Sequence, residues 1–175
     1  MRRSPVRPGC AVVAVRRRRA GVALRGATPP TSGRGVVTRW LAADNLRCGV
    51  TTSAAVVVCT LLGALAVFQV LLVLGAPLGR FAWGGQHRVL PTRLRVGSMV
   101  SVLVYGVLAT VVLARADLVE TGVSEESLRT VTWIVVAYFF LGIGLNLASR
   151  SKPERAVMSP VAAVLCALCA VVAAG

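Results

Sequence analysis

Residues 80–91, with the sequence RFAWGGQHRVLP, hold the side chains best suited to chemistry in this chain. The guanidinium of Arg88 can hold an anionic group, and the imidazole of His87 can move a proton near neutral pH. Gly84 and Gly85 allow a ligand to approach the backbone closely. The spacing matches neither G-x-x-x-x-G-K-S/T nor G-x-G-x-x-G, so the glycines do not form a known phosphate loop. The stretch therefore predicts either a site for an anionic head group or phosphate, or a solvated loop.

Two amides, Gln69 and Asn146, lie inside long apolar runs. An unpaired amide in hydrocarbon costs about 2 kcal/mol or more, so both side chains should face other helices, where a plain interhelical hydrogen bond would explain them. Serines at Ser98 and Ser159 fall at a similar depth, which predicts a polar pocket beneath the first loop. The candidate binding residues are Trp83, Gly84, Gly85, Gln86, His87, Arg88, Gln69 and Asn146. No catalytic constellation is complete, because His87 is the only histidine.

Cysteines offer a second chemistry. Cys166 and Cys169 have the C-x-x-C spacing on one helix face, and Cys59 is expected at a similar depth, a pattern that permits a membrane thiol oxidoreductase. An apolar setting disfavours the reactive thiolate, so packing as small apolar side chains is the preferred interpretation. No histidine or carboxylate is expected at that depth, so we expect no zinc site, no other metal and no cofactor.

The elements that must position these residues are apolar helices. The chain of 175 residues is 56% hydrophobic with a mean hydropathy of +0.76, above the roughly 45 to 50% of soluble domains. Four windows lack charge, at 48–79, 96–114, 130–149 and 156–175, and each reaches the roughly 20 residues that cross a bilayer. The sequence therefore predicts an all-α membrane protein, a bundle of four transmembrane helices at about 51–75, 96–114, 130–149 and 156–175.

The absence of charged residues from these windows tells against some functions. A proton-coupled exchanger of the small multidrug transporter kind needs a membrane-embedded carboxylate, and a voltage sensor needs membrane-embedded arginines. The four windows contain neither.

Basic residues in the connections predict the orientation. Predicted loops 76–95 and 150–155 together carry seven Lys and Arg, whereas loop 115–129 carries two Arg and four acids. By the positive-inside rule the first and third loops are cytoplasmic and the C-terminus is outside.

Residues 1–50 are a separate segment, with eleven Arg, one Asp and no sustained periodicity, which predicts a disordered leader. These arginines contradict the orientation, because they would lie outside. The preference for Arg over Lys is also typical of GC-rich bacterial coding sequences. We therefore expect that translation could start downstream, at Val50 or at Val36 or Val37.

Two stretches each fit a pattern of their own: GRFAWGGQHRVLPTRLRVGS and NLASRSKPERAVMSPVA. The first fits A-W-G-G-x-x-R-V-L-P followed by basic residues and a Gly-Ser helix start, and the second fits S-R-S-K-x-E-R-x-x-x-x-P. Together they resemble an uncharacterised family of short four-helix bacterial integral membrane proteins, over about residues 50–175. The resemblance implies the fold and no activity.

Three functions remain open. The preferred one is a small non-enzymatic binding or accessory protein of the cell membrane with a cytoplasm-facing polar loop. The alternatives are a small transporter or membrane enzyme with a site around residues 80–95, and a thiol oxidoreductase using Cys166 and Cys169. The expected partners are the lipid bilayer and a second copy or another membrane protein, with no nucleic acid.

Overall fold

The computed structural model describes the backbone of residues 34–175 and the side chains of residues 45–175. It contains four long helices and two single 3₁₀ turns, and this part of the chain has no strand. The helices are α1 (Arg34–Val73), α2 (Thr92–Arg115), α3 (Glu125–Leu147) and α4 (Lys152–Ala174), and the turns are Gly79–Phe81 and Trp83–Gly85. The predicted all-α bundle of four helices is confirmed.

All four helices are long and apolar enough to cross a membrane, over Asn45–Val73 of α1 and the whole of the other three. Their outer surfaces are apolar as well, since Leu103, Phe140 and Leu145 are 71%, 68% and 76% exposed. Apolar surface of this extent is stable against lipid and unfavourable in water. The fold is that of a multi-pass membrane protein.

Residues 51–175 form one compact unit. Buried side chains from all four helices form its main core, including Val58 of α1, Val112 of α2, Phe139 of α3 and Leu165 of α4. A Cβ built at Gly175 would touch the Thr51 hydroxyl. The first and last residues of this unit therefore lie at the same end of the bundle, as an even number of spans requires.

The helices begin earlier than the uncharged windows predicted. Starts at 96, 130 and 156 are wrong by about one turn, because charged residues occupy the first turns of α2, α3 and α4. The Ser124 side chain caps α3 by accepting a hydrogen bond from the Ser127 N–H. Glu125 and Glu126 follow this cap, where acidic side chains complement the helix dipole.

The first helix differs most from the prediction. It starts at Arg34, so residues 34–50 are helical where an irregular leader was expected. Leu41, Ala42, Ala43 and Leu46 in this stretch are good helix formers, which explains the correction. The rest of the predicted leader, residues 1–33, lies outside the described residues. At the other end α1 stops at Val73, and Gly75 follows with the left-handed φ of 91° typical of a helix C-terminus.

Candidate functional site

The connection between α1 and α2, residues 74–91, is called loop one. It closes on itself, because the Gly79 N–H donates to the Arg88 carbonyl at 3.1 Å. Gly79 is buried, and a Cβ at this position would collide with the His87 carbonyl. Apolar side chains of the loop, Ala82 and Leu90, are buried in a second small core against Leu72 of α1. Loop one is thus a packed cap on the bundle.

The centre of loop one is a left-handed turn. Trp83 and Gly84 have φ values of 54° and 78°, and the Gly85 N–H donates to the Ala82 carbonyl at 3.0 Å. Two positive φ values with this bond are the features of a type I′ turn. Glycine takes such a conformation freely, whereas a bulky L-residue loses about 1–2 kcal/mol in it. Contacts of the Trp83 side chain must therefore hold its backbone there.

These contacts come from the start of α2. The Trp83 indole Nε1 donates to the Ser98 hydroxyl at 3.2 Å, and Ser98 is fully buried. The indole ring also covers Gly97, where a Cβ would lie 2.6 Å from a ring carbon. The indole ring therefore packs directly on Gly97, and only glycine leaves enough space for it. The other side of the indole stays open, since Trp83 is 42% exposed.

Glu154, in the first turn of α4, joins the cap from the other side. Its Oε2 accepts a hydrogen bond from the Gly84 N–H at 2.9 Å and another from the Ser149 hydroxyl at 2.5 Å. The Glu154 side chain is only 8% exposed. A buried carboxylate needs such donors, because an unpaired one is costly. The carboxylate therefore ties loop one to the connection between α3 and α4, residues 148–151, called loop three.

Ser151 makes the second tie between the two loops. Its hydroxyl donates to the Arg80 carbonyl at 2.5 Å and accepts from the Glu154 N–H at 3.4 Å as the cap of α4. A Cβ at Gly85 would lie 2.5 Å from the Ser151 side chain. Each glycine therefore has a structural role. Gly84 adopts the left-handed turn and donates its N–H to Glu154, and Gly85 leaves space for the Ser151 side chain.

Four residues of the cap were not among the predicted site residues: Glu154, Ser98, Ser149 and Ser151. For Ser98, only its depth beneath the first loop was predicted. Sequence reasoning gave Glu154 no role beyond its place in the S-R-S-K-x-E-R stretch. A signal was present, because residues 151–154 read S-K-P-E, the capping-box pattern S-x-x-E. In a capping box the glutamate binds back to the N–H of the cap residue. Here the Ser151 N–H donates to Ser149 Oγ at 3.2 Å, which leaves Glu154 available for loop one.

The structure divides the predicted site residues into two groups. Trp83, Gly84 and Gly85 come together with Ser98 and Glu154 in the interior of the cap. The other three loop residues lie on its surface, because the side chains of Gln86, His87 and Arg88 are exposed. Among residues 45–175 these three side chains make no hydrogen bond or ion pair.

The two predicted amides lie apart from loop one in their contacts. Gln69 is buried in α1, and its Oε1 has no hydrogen-bond partner among the described residues. Ser159 Oγ of α4 is likewise buried without a partner in that part of the chain. Asn146 of α3 is half-buried. The burial of Gln69 agrees with the expectation that its side chain faces other helices.

Buried polar residues concentrate at the cap end of the bundle, as the sequence predicted. Within the described side chains, four lie in the half of their helix that adjoins loop one or loop three: Gln69, Ser98, Glu154 and Ser159. A fifth, Thr132, donates its hydroxyl to the Leu128 carbonyl at 2.7 Å. This bond lies within α3 and does not connect α3 to another helix.

The thiols of the bundle are engaged in packing. Cys59 donates to the Ala109 carbonyl at 3.9 Å and Cys166 to the Val136 carbonyl at 3.6 Å, both weak contacts between neighbouring helices. Cys169 is fully buried in the main core. All three are free thiols. Within the described residues, no group of three His, Cys, Asp or Glu side chains is placed to hold a metal ion.

No protein-family model, curated protein or solved structure matches this chain. The resemblance of its two loop stretches to a family of four-helix bacterial membrane proteins stays a prediction.

Proposed function

We propose that this protein is a small, non-enzymatic binding or accessory protein of a bacterial cell membrane. The observation that carries the proposal is the hydrogen-bonded cap of loops one and three. The polar groups inside the cap bond to each other, the Trp83 indole to Ser98 and the Gly84 N–H to Glu154. What the cap offers to a ligand is a fixed outer surface with the exposed Arg88 on it, and a fixed polar surface suits binding.

The cap is proposed to face the cytoplasm, with the C-terminus outside. Residues 76–95 and 150–155, which comprise most of loops one and three and the first turns of α2 and α4, carry seven of the nine Lys and Arg that follow residue 50, which supports this orientation by the positive-inside rule. The lipid bilayer is the first partner, and a second copy of the chain or another membrane protein is the next.

A transporter or membrane enzyme with a site around residues 80–95 is the second candidate. Gln69 Oε1 and Ser159 Oγ favour it, because both are buried without a hydrogen-bond partner among the described residues and a polar substrate could supply the missing bonds. This candidate requires His87 for proton movement, whereas the binding proposal does not.

Complementation of a strain that lacks the gene tests the choice. For a binding protein, His87→Ala should restore growth as well as the control Gln86→Ala, because no proton transfer is involved. Folding is checked by the yield of membrane-inserted protein. A folded His87→Ala protein that fails while Gln86→Ala succeeds would refute the non-enzymatic proposal and favour the second candidate.

A further inference from the structure

Exposed charge is separated between the two ends of the bundle. Six basic side chains at the cap end are exposed, and we call them the cationic face: Arg80, Arg88, Arg93, Arg150, Lys152 and Arg155. The only acid in residues 74–98 and 147–160 is Glu154, and it is buried in the cap. At the opposite end Asp117, Glu120, Glu125 and Glu126 are all exposed. The cationic face therefore lacks any exposed acid, while the other end has four.

The cations of both loops share one surface because the two loops are bonded together. The Ser151 hydroxyl binds the Arg80 carbonyl, which brings Arg80 beside the stretch that contains Arg150 and Lys152. The second bond, from Gly84 to Glu154, does the same for the residues that precede Arg88. Binding an anion there would not require the loops to be ordered first, and so saves that entropic cost.

The charges of this surface are not neutralised by the protein. Among residues 45–175, the side chains of Arg88, Arg93, Arg150, Lys152 and Arg155 form no ion pair or hydrogen bond. Arg80 is positioned over the ring of Phe81, 4.7 Å from its centroid, which keeps its charge at the surface. The cationic face is thus free for an external anion.

Apolar side chains at the same end indicate the kind of anion. Trp83 and Val89 of loop one are 42% and 47% exposed, and Leu74 and Leu147 at the adjoining helix ends are 75% and 54% exposed. A free phosphate would leave this apolar surface unused. A phospholipid has both parts, an anionic head group for the cations and acyl chains for the apolar side chains.

We propose that the cationic face binds the head groups of anionic phospholipids. The inference rests on the proposed role of the cap as the binding surface, and it names the ligand class. It does not depend on which side of the membrane the cap faces, so a wrong orientation and a failed lipid site are distinguishable.

Quenching of Trp83 fluorescence by brominated lipids tests the proposal. The full chain with Trp40→Phe and Trp133→Phe retains Trp83 as its only tryptophan. It is reconstituted in bilayers that mix phosphatidylcholine with either brominated phosphatidylcholine or brominated phosphatidylglycerol. The dependence of quenching on lipid fraction gives the relative binding constant of the two lipids at the cap.

We expect a preference for phosphatidylglycerol of at least about five-fold, since each basic side chain near an anionic surface contributes about that factor. Replacing Arg88 and Lys152 by Gln should abolish most of this preference. The matched control, Arg115→Gln with Arg129→Gln, removes two charges from the opposite end and should keep it. Raising salt from about 0.1 M to about 1 M should also weaken it, because the Debye length falls from about 10 Å to about 3 Å.

Three outcomes would overturn the proposal: equal quenching by the two lipids in the parent protein, an equal effect of both pairs of substitutions, or loss of the preference when inorganic phosphate is added. The last outcome would identify a free anion as the ligand. Unchanged quenching by brominated phosphatidylcholine shows that a variant still holds Trp83 at its native depth, so a misfolded variant is recognised.

Discussion

The Gly84 N–H donates a 2.9 Å hydrogen bond to the Glu154 carboxylate, across 70 residues of sequence. This bond connects the turn between the first two helices with the start of the last. It explains why a glutamate is buried in a chain whose other described acids are exposed.

Replacing Glu154 tests this connection. Glu154→Ala leaves the Gly84 N–H and the Ser149 hydroxyl without their acceptor, which should lower the free energy of unfolding by about 1–3 kcal/mol. Glu154→Gln is the matched control, because its amide oxygen can still accept both bonds and should lose less. Denaturant titration in detergent micelles measures both. Equal stability of the alanine variant and the parent would contradict the assigned role.

Comparing alanine substitutions at Gly85 and Gly122 separates the cost of a left-handed backbone from the cost of a steric clash. Their φ values are 68° and 67°, but a Cβ at Gly85 would meet Ser151 whereas nothing lies within 4 Å of one at Gly122. Each alanine substitution should cost about 1–2 kcal/mol for the left-handed backbone. Gly85→Ala should cost a further 1–3 kcal/mol or so, as overpacking does. The same titration checks this difference, and identical losses would show that the contact with Ser151 is not tight.

Gly97 is the seat of the Trp83 indole, and Gly106 on the same helix has nothing within 4 Å of its would-be Cβ. Gly97→Ala should displace the ring and lower stability. Gly106→Ala should raise stability by up to about 1 kcal/mol, because alanine favours helix. Trp83 emission, recorded in the single-tryptophan protein, reports the displacement directly. An unshifted spectrum in Gly97→Ala would mean that the indole does not rest there.

The orientation is tested by reporters fused to Gly175. An outside C-terminus predicts activity of a periplasmic reporter and none of a cytoplasmic one. A fusion in the loop between α2 and α3, after Gly122, should behave alike, and one after His87 should behave oppositely. A cytoplasmic C-terminus would overturn the orientation and leave the fold unchanged.

The thiols provide a test of the oxidoreductase alternative. Because Cys169 is fully buried and the Cys166 thiol faces the Val136 carbonyl, we expect a water-soluble maleimide to label neither in the folded protein. Mass spectrometry after mild oxidation should find both reduced. A bond between Cys166 and Cys169, or rapid labelling of either, would revive a redox function.

The helices could be predicted from the sequence because four uncharged windows are each long enough to span a bilayer. The exact helix starts could not be predicted. Charged residues such as Glu125 and Lys152 were assigned to loops, although they are compatible with the first turn of a membrane helix. Polarity at the cap end was also readable from Gln69 and Ser98. The pairing of Gly84 with Glu154 was not, because helix periodicity contains no information about which loops meet.

Glu154 is supplied by the last helix, and this has a consequence for how the protein assembles. During synthesis loop one is made long before α4. The Gly84 N–H of the left-handed turn therefore has no carboxylate to donate to until the last helix is inserted. The closed cap therefore forms only after the last helix is inserted, and a chain truncated after α3 would lack the bond that joins loop one to α4.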